Sequence, residues 1–470
     1  MSFLVNPYIV GPPVGDRKDV FVGRKDILES VKNNFQNTSK NIFLLHGQRR
    51  VGKTSILQYL EEQLKNEGLF NSVYFSLQGK SEYSLAQVLQ ELGSTIANQL
   101  GLPNPRKDLL WQPEHAFHKV WLPKVFQVLP EGVGLVLLFD EFDVLAHPSE
   151  KPVSEADVLP AAHLFKYLKT LASDYHEQLK LVFVIGRNKE DLSLISQHLF
   201  RDTVPSYLVS LLSPNDVKKI VRLSEKNHTL LWTDAAIGRV IQLTNGHPYF
   251  TQALCSHVWE SAHRDNCIEV PTVTDQEVDE VVSDFLYIVS QHLESFWDNW
   301  SVEERVAAAA LAEMGSEPAT QEQLENLLQE KSQLRIVIRQ VQYAMQRLQE
   351  RDVLEVVQER FKFRVELVRR WIQFYKPLDD VQAEIDNARS AAEYLYNAGQ
   401  KLYDEGQIEE AIEPARQAFE TLRYRPEVVQ LWADILVYQE KFTEAEELLE
   451  QLREYEPTAA SARLITRFLQ

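Results

Sequence analysis

Cysteine and long apolar runs are scarce in this sequence. Only two cysteines, Cys255 and Cys267, occur among 470 residues, so a disulfide framework is excluded and a reducing compartment is expected. The longest apolar runs, residues 135–139 and 181–185, are far too short to cross a bilayer. The first residues lack the basic and long apolar regions of a signal peptide, so we expect a cytoplasmic protein without a membrane anchor.

Positive charge is also in short supply. The chain has 49 Lys and Arg residues against 68 Asp and Glu residues, which gives a formal net charge of −19. This negative net charge argues against nucleic-acid binding by the whole surface. It does not exclude one local basic patch that binds nucleic acid. The remaining composition is that of a globular protein, and the length predicts about three domains.

The strongest motif lies at residues 47–54, which read G-x-x-x-x-G-K-T. An apolar run precedes it and apolar residues at helical spacing follow it, so a strand, a glycine loop and a helix are predicted in that order. This is the context of a P-loop, whose backbone N–H groups surround nucleotide phosphates. The predicted nucleotide-binding residues are Gly47, Gln48, Arg49, Arg50, Val51, Gly52, Lys53, Thr54 and Ser55.

The phosphate chemistry explains the residue types of this loop. Gly47 and Gly52 let the backbone approach the phosphates closely. Lys53 is expected to place its charge on the β- and γ-phosphates, and the Thr54 hydroxyl is expected to be a ligand of Mg²⁺. The motif therefore predicts binding of a nucleoside triphosphate together with Mg²⁺.

A second motif lies at residues 134–143, where an apolar segment ends in Asp140 and Glu141. Ligand sites of parallel α/β sheets lie at the carboxyl ends of such strands. Asp140 is therefore predicted to hold Mg²⁺, through water, and Glu141 to polarise the attacking water. The alternative is a carboxylate that only caps a strand, and Asp143 is expected to lie on the surface or to anchor a loop.

Four apolar segments alternate with helical patterns between residues 20 and 210. This predicts an α/β domain with a doubly wound parallel sheet. Helical patterns dominate after it, so an all-α lid is expected over residues 211–295. The predicted domains are residues 1–210, 211–295, 296–377 and 378–470.

The third predicted domain reads as three helices followed by two alternating strands, the pattern of a winged helix. Basic residues cluster at its end: Arg360, Lys362, Arg364, Arg369 and Arg370. Residues 301–376 nevertheless hold 12 basic and 12 acidic side chains. We therefore favour packing on the nucleotide-binding core over DNA binding.

The last predicted domain is a helical repeat array. Segments starting at Gly406 and Glu440 align at a period of 34, the length of a tetratricopeptide (TPR) repeat. Residues 378–470 contain 20 acidic and 9 basic side chains. This surplus could be a solvated face, but we favour a surface that binds a basic peptide or protein partner.

Further segments carry a family resemblance. Val20-Phe-Val-Gly-Arg24 precedes the P-loop, a strand pattern ends at Arg187, and Gly246-His-Pro248 lies between two helices. Their order, with the winged-helix and repeat patterns, resembles that of STAND-class, AAA+-related ATPases over essentially the whole chain. The resemblance implies that Arg187 senses the γ-phosphate and that Pro248 packs on the nucleotide from the lid. It also implies an adenine pocket lined by Val22, Gly23 and Arg24.

The resemblance implies a molecular switch in bacterial signalling or defence. ADP would hold the core closed, and ATP would open it and permit homo-oligomerisation, while the repeats receive a protein partner. Many STAND proteins carry an N-terminal effector domain. Here the ATPase lead-in starts by Asn6, so we expect either that the effector is a separate protein or that this sequence is a shortened form.

Two other functions stay open at the level of the sequence. One is a DNA-binding ATPase of the origin-recognition type, which would use the winged helix. The other is a scaffold in which ATP is structural and is not hydrolysed.

Overall fold

The computed structural model describes residues 4–15, 17, 19–35, 40–105, 112–146, 161–186, 204–264, 269–330, 338–422 and 425–455. They fall into two compact units. The first unit comprises Met1–Phe296, Ser316–Thr320 and Met345–Trp371, and the second comprises Trp297–Gly315, Gln321–Ala344 and Ile372–Gln470. None of the helices in these described ranges is long and apolar enough to span a membrane.

A five-stranded parallel sheet forms the centre of the first unit, with strand order β2-β3-β4-β1-β5. Its strands are β1 (Ile42–His46), β2 (Phe70–Ser76), β3 (Gly134–Asp140), β4 (Leu179–Ile185) and β5 (Ser206–Leu208). The predicted parallel α/β sheet is confirmed, although only four strands were expected. The fifth strand has three residues and a partly exposed edge position, so it lacks the apolar run of a buried strand.

Helices cover both faces of this sheet. Phe43 and Leu45 of β1 point into a core with α1 and α2, while Ile42 and Leu44 point into the opposite core. All seven residues of β3 and of β4 are buried. Burial on both faces explains why these strands read as uninterrupted apolar runs. The helices around the sheet are α1 (Lys25–Phe35), α2 (Lys53–Glu67), α3 (Leu85–Leu100), the composite helix α4 (113–128) and α5 (Ala161–Asp174).

A small helical subdomain, here called the lid, follows β5 within the first unit. Its first helix begins as the sequence predicts, with Pro214 in the first turn and the Ser213 hydroxyl accepting from the Asp216 N–H. Two-residue strands β6 (Leu231–Trp232) and β7 (Thr272–Val273) pair in parallel. The lid helices are α6 (Pro214–Val221), α7 (Leu223–Lys226), α8 (Asp234–Thr244), α9 (Pro248–Ala262), α10 (Asp275–Glu280) and α11 (Val282–Trp297).

The elements that a winged helix requires follow in chain order. They are α12 (Val302–Glu313), α13 (Gln321–Glu330), α14 (Ile338–Glu350), the hairpin β8 (Leu354–Val357) and β9 (Arg360–Phe363), and α15 (Glu366–Tyr375). The hairpin is antiparallel, and Ala319 forms an additional bridge with Phe361. A capping box joins Ser301 and Glu304 at the start of α12, as the sequence predicts. The winged-helix assignment itself stays a prediction.

Four helices end the described chain: α16 (Leu378–Asp404), α17 (Ile408–Thr421), α18 (Pro426–Tyr438) and α19 (Phe442–Tyr455). Each packs on the next. Small residues allow this close packing, since a Cβ on Gly399 would lie 3.1 Å from the Ala415 backbone nitrogen. Two small cores result, one around Ala411 and Ile435 and one around Ala433 and Leu449. The TPR-like assignment stays a prediction.

Candidate functional site

A cavity of about 770 Å³ lies in the first unit at the carboxyl ends of the central strands. Residues from the N-terminal segment, the loop after β1, the end of β3 and the lid line it. The predicted site residues that line it are Val22, Arg24, Arg49, Arg50, Val51, Gly52, Lys53, Thr54, Ser55, Asp140, Glu141 and Pro248. Gly23, Gly47 and Gln48 are not among the residues that line it, and Arg187 lies outside the described residues.

The loop between β1 and α2 has the tight backbone that the motif predicts. A Cβ on Gly47 would lie 2.3 Å from the Val209 carbonyl oxygen, so only glycine fits there. Gly52 has φ of +93° and directly precedes α2. The N-terminus of a 15-residue helix therefore faces the cavity, where its unpaired N–H groups favour an anion.

Lys53 is held inside this loop. Its Nζ donates to the Gly47 carbonyl oxygen over 2.8 Å and also to the Gln48 carbonyl oxygen. The residue is only 7% exposed, and this burial lowers the pKa of Lys53 to about 8, against the opposing effect of the nearby Asp143 and Asp140 carboxylates. The loop thus presents a buried ammonium group to the cavity.

Asp140 is the centre of a hydrogen-bond network at the end of β3. It accepts from the Thr54 hydroxyl over 2.7 Å, from the Tyr74 hydroxyl over 2.9 Å and from the Glu141 N–H over 3.1 Å. Burial, followed by the charge of Asp140, raises the pKa of Tyr74. Tyr74 was not anticipated from the sequence, because its position in β2 reads only as part of an apolar strand.

The Thr54–Asp140 pair fits Mg²⁺ as a partial ligand set. Both contribute hard oxygen atoms, which Mg²⁺ prefers, and both line the cavity beside Lys53. Across the residues that the structure describes, no three His, Cys, Asp or Glu side chains form a complete metal site. One or two protein oxygens beside bound phosphates are the usual arrangement for Mg²⁺ in phosphate-binding sites.

Two more carboxylates face the same cavity. Glu141 has a left-handed backbone, with φ of +53°, and burial, followed by the charges of Asp140 and Asp143, raises its pKa. Asp143 was expected on the surface or as a loop anchor. It lines the cavity, with its Oδ2 2.9 Å from the place that a Cβ on Gly186, just after β4, would occupy.

The segment before α1 joins the loop to the lid. Arg24 has φ of +65° and donates from Nη2 to the Val51 carbonyl oxygen over 2.9 Å. Its burial lowers the pKa of Arg24 to about 10. Gly23 lies against the lid, since a Cβ there would be 2.9 Å from the Asp216 Oδ2.

The lid contributes Pro248 and Tyr249 from the start of α9. A Cβ on Gly246 would lie 2.3 Å from the Leu212 carbonyl oxygen, which explains the glycine before this proline. Pro248 occupies the first turn of α9 and lines the cavity. Next to it, the Tyr249 ring lies 4.4 Å below the guanidinium carbon of Arg50.

Comparison with known proteins is consistent with this geometry. Residues 12–325, more than half of the chain, match the AAA-like domain family. The chain belongs to this family. No curated protein matches the sequence significantly.

Solved structures share the fold of this AAA-like protein. The Walker-type ATPase PABY2304 of Pyrococcus abyssi superposes with a TM-score of 0.55 at 16% identity, covering 78% of this chain and 99% of that one. The ORC2 protein of Aeropyrum pernix, solved in ADPNP–ADP complexes, superposes with a TM-score of 0.51 at 14% identity. This match covers 78% of this chain and 99% of the ORC2 chain. At these identities the likeness shows the fold alone, which is that of a P-loop ATPase.

An N-terminal strap, residues 6–14, adjoins the AAA-like site through contacts that the sequence did not indicate. Asn6 Nδ2 donates to Ser256 Oγ over 2.9 Å, and the Tyr8 hydroxyl donates to the Val221 carbonyl oxygen over 2.6 Å. At its other end, the Val14 N–H donates to Ser55 Oγ over 3.1 Å. The strap therefore runs from the lid to α2 along the cavity wall. Its glycine and proline content predicts only an irregular segment.

Gln48 points away from the cavity of the AAA-like site. Its Nε2 donates to the carbonyl oxygen of Arg351, which lies between α14 and β8 in the same unit. The two residues are 303 positions apart in sequence, so no local pattern predicts the contact. The phosphate loop thus contacts both the lid and the segment before the β8–β9 hairpin.

Proposed function

We propose that this protein is an ATP-binding and ATP-hydrolysing switch of the STAND type. The supporting observation is that side chains of the P-loop contact elements beyond the central sheet. Arg50 lies over Tyr249 of the lid, and Gln48 bonds to Arg351. A nucleotide can bias a conformational equilibrium only by binding its two states with different affinity. Contacts from the phosphate-binding loop itself provide a direct route to such a difference.

The nucleotide fits the cavity in a defined orientation. The α2 N-terminus and Lys53 would hold the phosphates, while Val22, Arg24 and Pro248 would enclose the base and sugar. Thr54 and Asp140 would hold Mg²⁺, which neutralises phosphate charge when bound. Glu141 is the candidate that accepts a proton from the attacking water. Its raised pKa, caused first by burial, suits a group that must take up a proton.

Hydrolysis distinguishes the switch from a structural scaffold. Steady-state phosphate release should be measured for the native protein and for Glu141→Gln, which keeps the shape of the side chain but cannot accept the proton. We expect slow turnover in the native protein and a loss of at least about 100-fold in the variant, since positioned proton transfer contributes about that factor or more. Equal and negligible turnover in both proteins would favour the scaffold.

DNA binding by the β8–β9 hairpin is the competing function. Four of the five cations that cluster in and after this hairpin form ion pairs within the first unit: Lys362 with Glu355, Arg364 with Asp352, Arg369 with Glu366, and Arg370 with Glu366 and Asp279. Cations already paired with carboxylates add little to a surface that must follow DNA phosphates. Salt-sensitive retention of duplex DNA at low ionic strength, lost on changing Arg360 and Lys362 to Ala, would favour the DNA-binding function.

The helices of the second unit are proposed to receive a protein partner. Their surface is acidic, and it exposes aromatic side chains, with Tyr394 at 76% and Phe442 at 57% exposure. Such a face suits a basic partner that also carries apolar groups. We propose that residues 378–470 act as TPR-like repeats, that residues 296–377 act as a winged helix restraining the core, and that ATP permits homo-oligomerisation.

A further inference from the structure

We infer that Gln252 reads the nucleobase and selects adenine over guanine, with the strap backbone fixing the orientation of its amide. The inference rests on the proposed nucleotide site. It assigns a specificity-determining role to a residue that none of the sequence motifs includes.

Gln252 lies on the cavity face of α9. It follows Pro248 by four residues, so both side chains project from the same face of the helix, and both line the cavity. Gln252 is a buried polar residue, with 6% of its surface exposed. Tyr249, at the start of the same helix, contacts Arg50 of the phosphate loop. Gln252 therefore lies about one helical turn further along α9 than this contact.

The amide of Gln252 is oriented by the strap. The backbone N–H of Ile9 donates to its Oε1 over 3.3 Å. Ile9 itself is held between two anchors, because Tyr8 bonds to Val221 of the lid and Val14 bonds to Ser55 of α2. The oxygen of the amide is thus engaged by a fixed donor, and the amide nitrogen, a donor only, is the group left to meet a ligand.

The walls around this amide suit the flat faces of a purine. Pro12 and Pro13 of the strap and Leu212 and Ile220 of the lid line the cavity with Gln252. The two prolines have no N–H group to offer a base. Pockets of this kind bury an apolar ring and fix its orientation with a few polar groups.

The exposed donor distinguishes the two purines. With the phosphates on the P-loop, the edge of the base opposite its sugar would point farthest from the loop, and we place this edge at Gln252. At that edge adenine has an unprotonated N1, which accepts a hydrogen bond, whereas guanine carries a proton on N1. An N–H donor fixed so that it points at N1 therefore bonds to adenine and opposes the N1–H of guanine, whose acceptor at this edge, O6, lies at the neighbouring position. A site built to satisfy one such hydrogen bond rejects the analogue that cannot form it.

Equilibrium binding of ADP and GDP, with Mg²⁺, to the full-length protein tests this role. We expect the native protein to prefer ADP at least tenfold, and Gln252→Ala to reduce that preference about tenfold, the effect of one lost hydrogen bond in a buried site. Gln252→Glu should shift the preference towards GDP, because a carboxylate accepts from guanine N1–H. Gln78→Ala is the matched control, since Gln78 lines the cavity on the Asp140 side, after β2.

A ligand variant gives a second test that needs no mutation. ADP methylated at N1 cannot accept there, so the native protein should bind it at least tenfold more weakly than ADP. Tight binding of the methylated nucleotide would overturn the inference, as would an unchanged ADP/GDP ratio in a folded Gln252→Ala protein. If the native protein binds neither ADP nor GDP, the proposed function fails as well. If it binds both equally, only the base-reading role fails.

Discussion

The guanidinium of Arg50 lies over the ring of Tyr249, 4.4 Å from its centre. Arg50 belongs to the phosphate-binding loop and has a left-handed backbone, while Tyr249 is in the first turn of α9. Tyr249 in turn contacts the ring of His292 on α11 at 4.9 Å. A phosphate bound to the loop would attract the same guanidinium. We propose that this contact couples the state of the nucleotide to the packing of the lid.

The first prediction concerns this contact. Tyr249→Leu removes the aromatic ring over which Arg50 lies, an interaction of about 0.5–2 kcal/mol. We expect ADP to leave the variant several-fold faster than the native protein, measured with a fluorescent ADP analogue in stopped flow. Tyr249→Phe keeps the ring and should behave like the native protein. Equally fast release from the Leu and Phe variants would show that the ring does not hold the lid.

The second prediction uses the lowered pKa of Lys53, about 8. Phosphate binding requires the charged ammonium, so affinity for ADP should be constant below pH 8. It should fall by up to about tenfold per pH unit above pH 8, because binding then needs proton uptake. Calorimetry between pH 7 and 9.5 measures this slope. The Lys53→Met variant should bind ADP weakly, and its affinity should not depend on pH in this range. Lys65 lies on the exposed part of α2, so Lys65→Met should keep the pH dependence of the native protein.

The third prediction concerns the network around Asp140. Asp140→Asn removes the charge beside Thr54, so Mg²⁺ should no longer strengthen ATP binding. Tyr74→Phe removes one hydrogen bond to Asp140, worth roughly 1.5–3 kcal/mol when one partner is charged, and should weaken the Mg²⁺ effect without abolishing it. ATP affinity with and without Mg²⁺ measures both effects. An unchanged Mg²⁺ effect in Asp140→Asn would place the metal elsewhere.

The fourth prediction concerns the strap. The Tyr8 hydroxyl bonds to Val221 and Ser224 and accepts from the Trp232 indole, all in a buried place. Tyr8→Phe should lower the free energy of unfolding of the lid by about 1–3 kcal/mol, because buried partners lose a hydrogen bond. Hydrogen exchange at α6 and α9 measures this locally. Tyr287→Phe, at 75% exposure, should leave it unchanged; equal protection in both variants would mean that the strap does not stabilise the lid.

Those parts of the fold that depend on residues close together in the sequence were predictable. The run before Gly47 and the run before Asp140 are each buried on both faces, so their apolar character shows directly in the sequence. The glycines, Lys53 and Thr54 lie within one loop, where function restricts each residue type. The helix-capping residues Ser213 and Ser301 bond to partners three positions away in the sequence, so these caps were also predictable.

The parts that depend on distant contacts were not predictable. Tyr8 and Val221 are 213 positions apart, and Gln48 and Arg351 are 303 apart. No local pattern predicts either contact, because nothing in the sequence around one residue of a pair points to the other. The position of Asp143 next to the end of β4 was not predictable for the same reason, because it follows from the strand order, which the sequence pattern does not reveal.

Native mass spectrometry of the full-length protein with ADP and with a non-hydrolysable ATP analogue tests the proposed switch most directly. A homo-oligomer with the ATP analogue, a smaller species with ADP, and no response to either nucleotide in Lys53→Met are the predicted results. An identical mass distribution with both nucleotides, at saturating occupancy in the native protein, would contradict it.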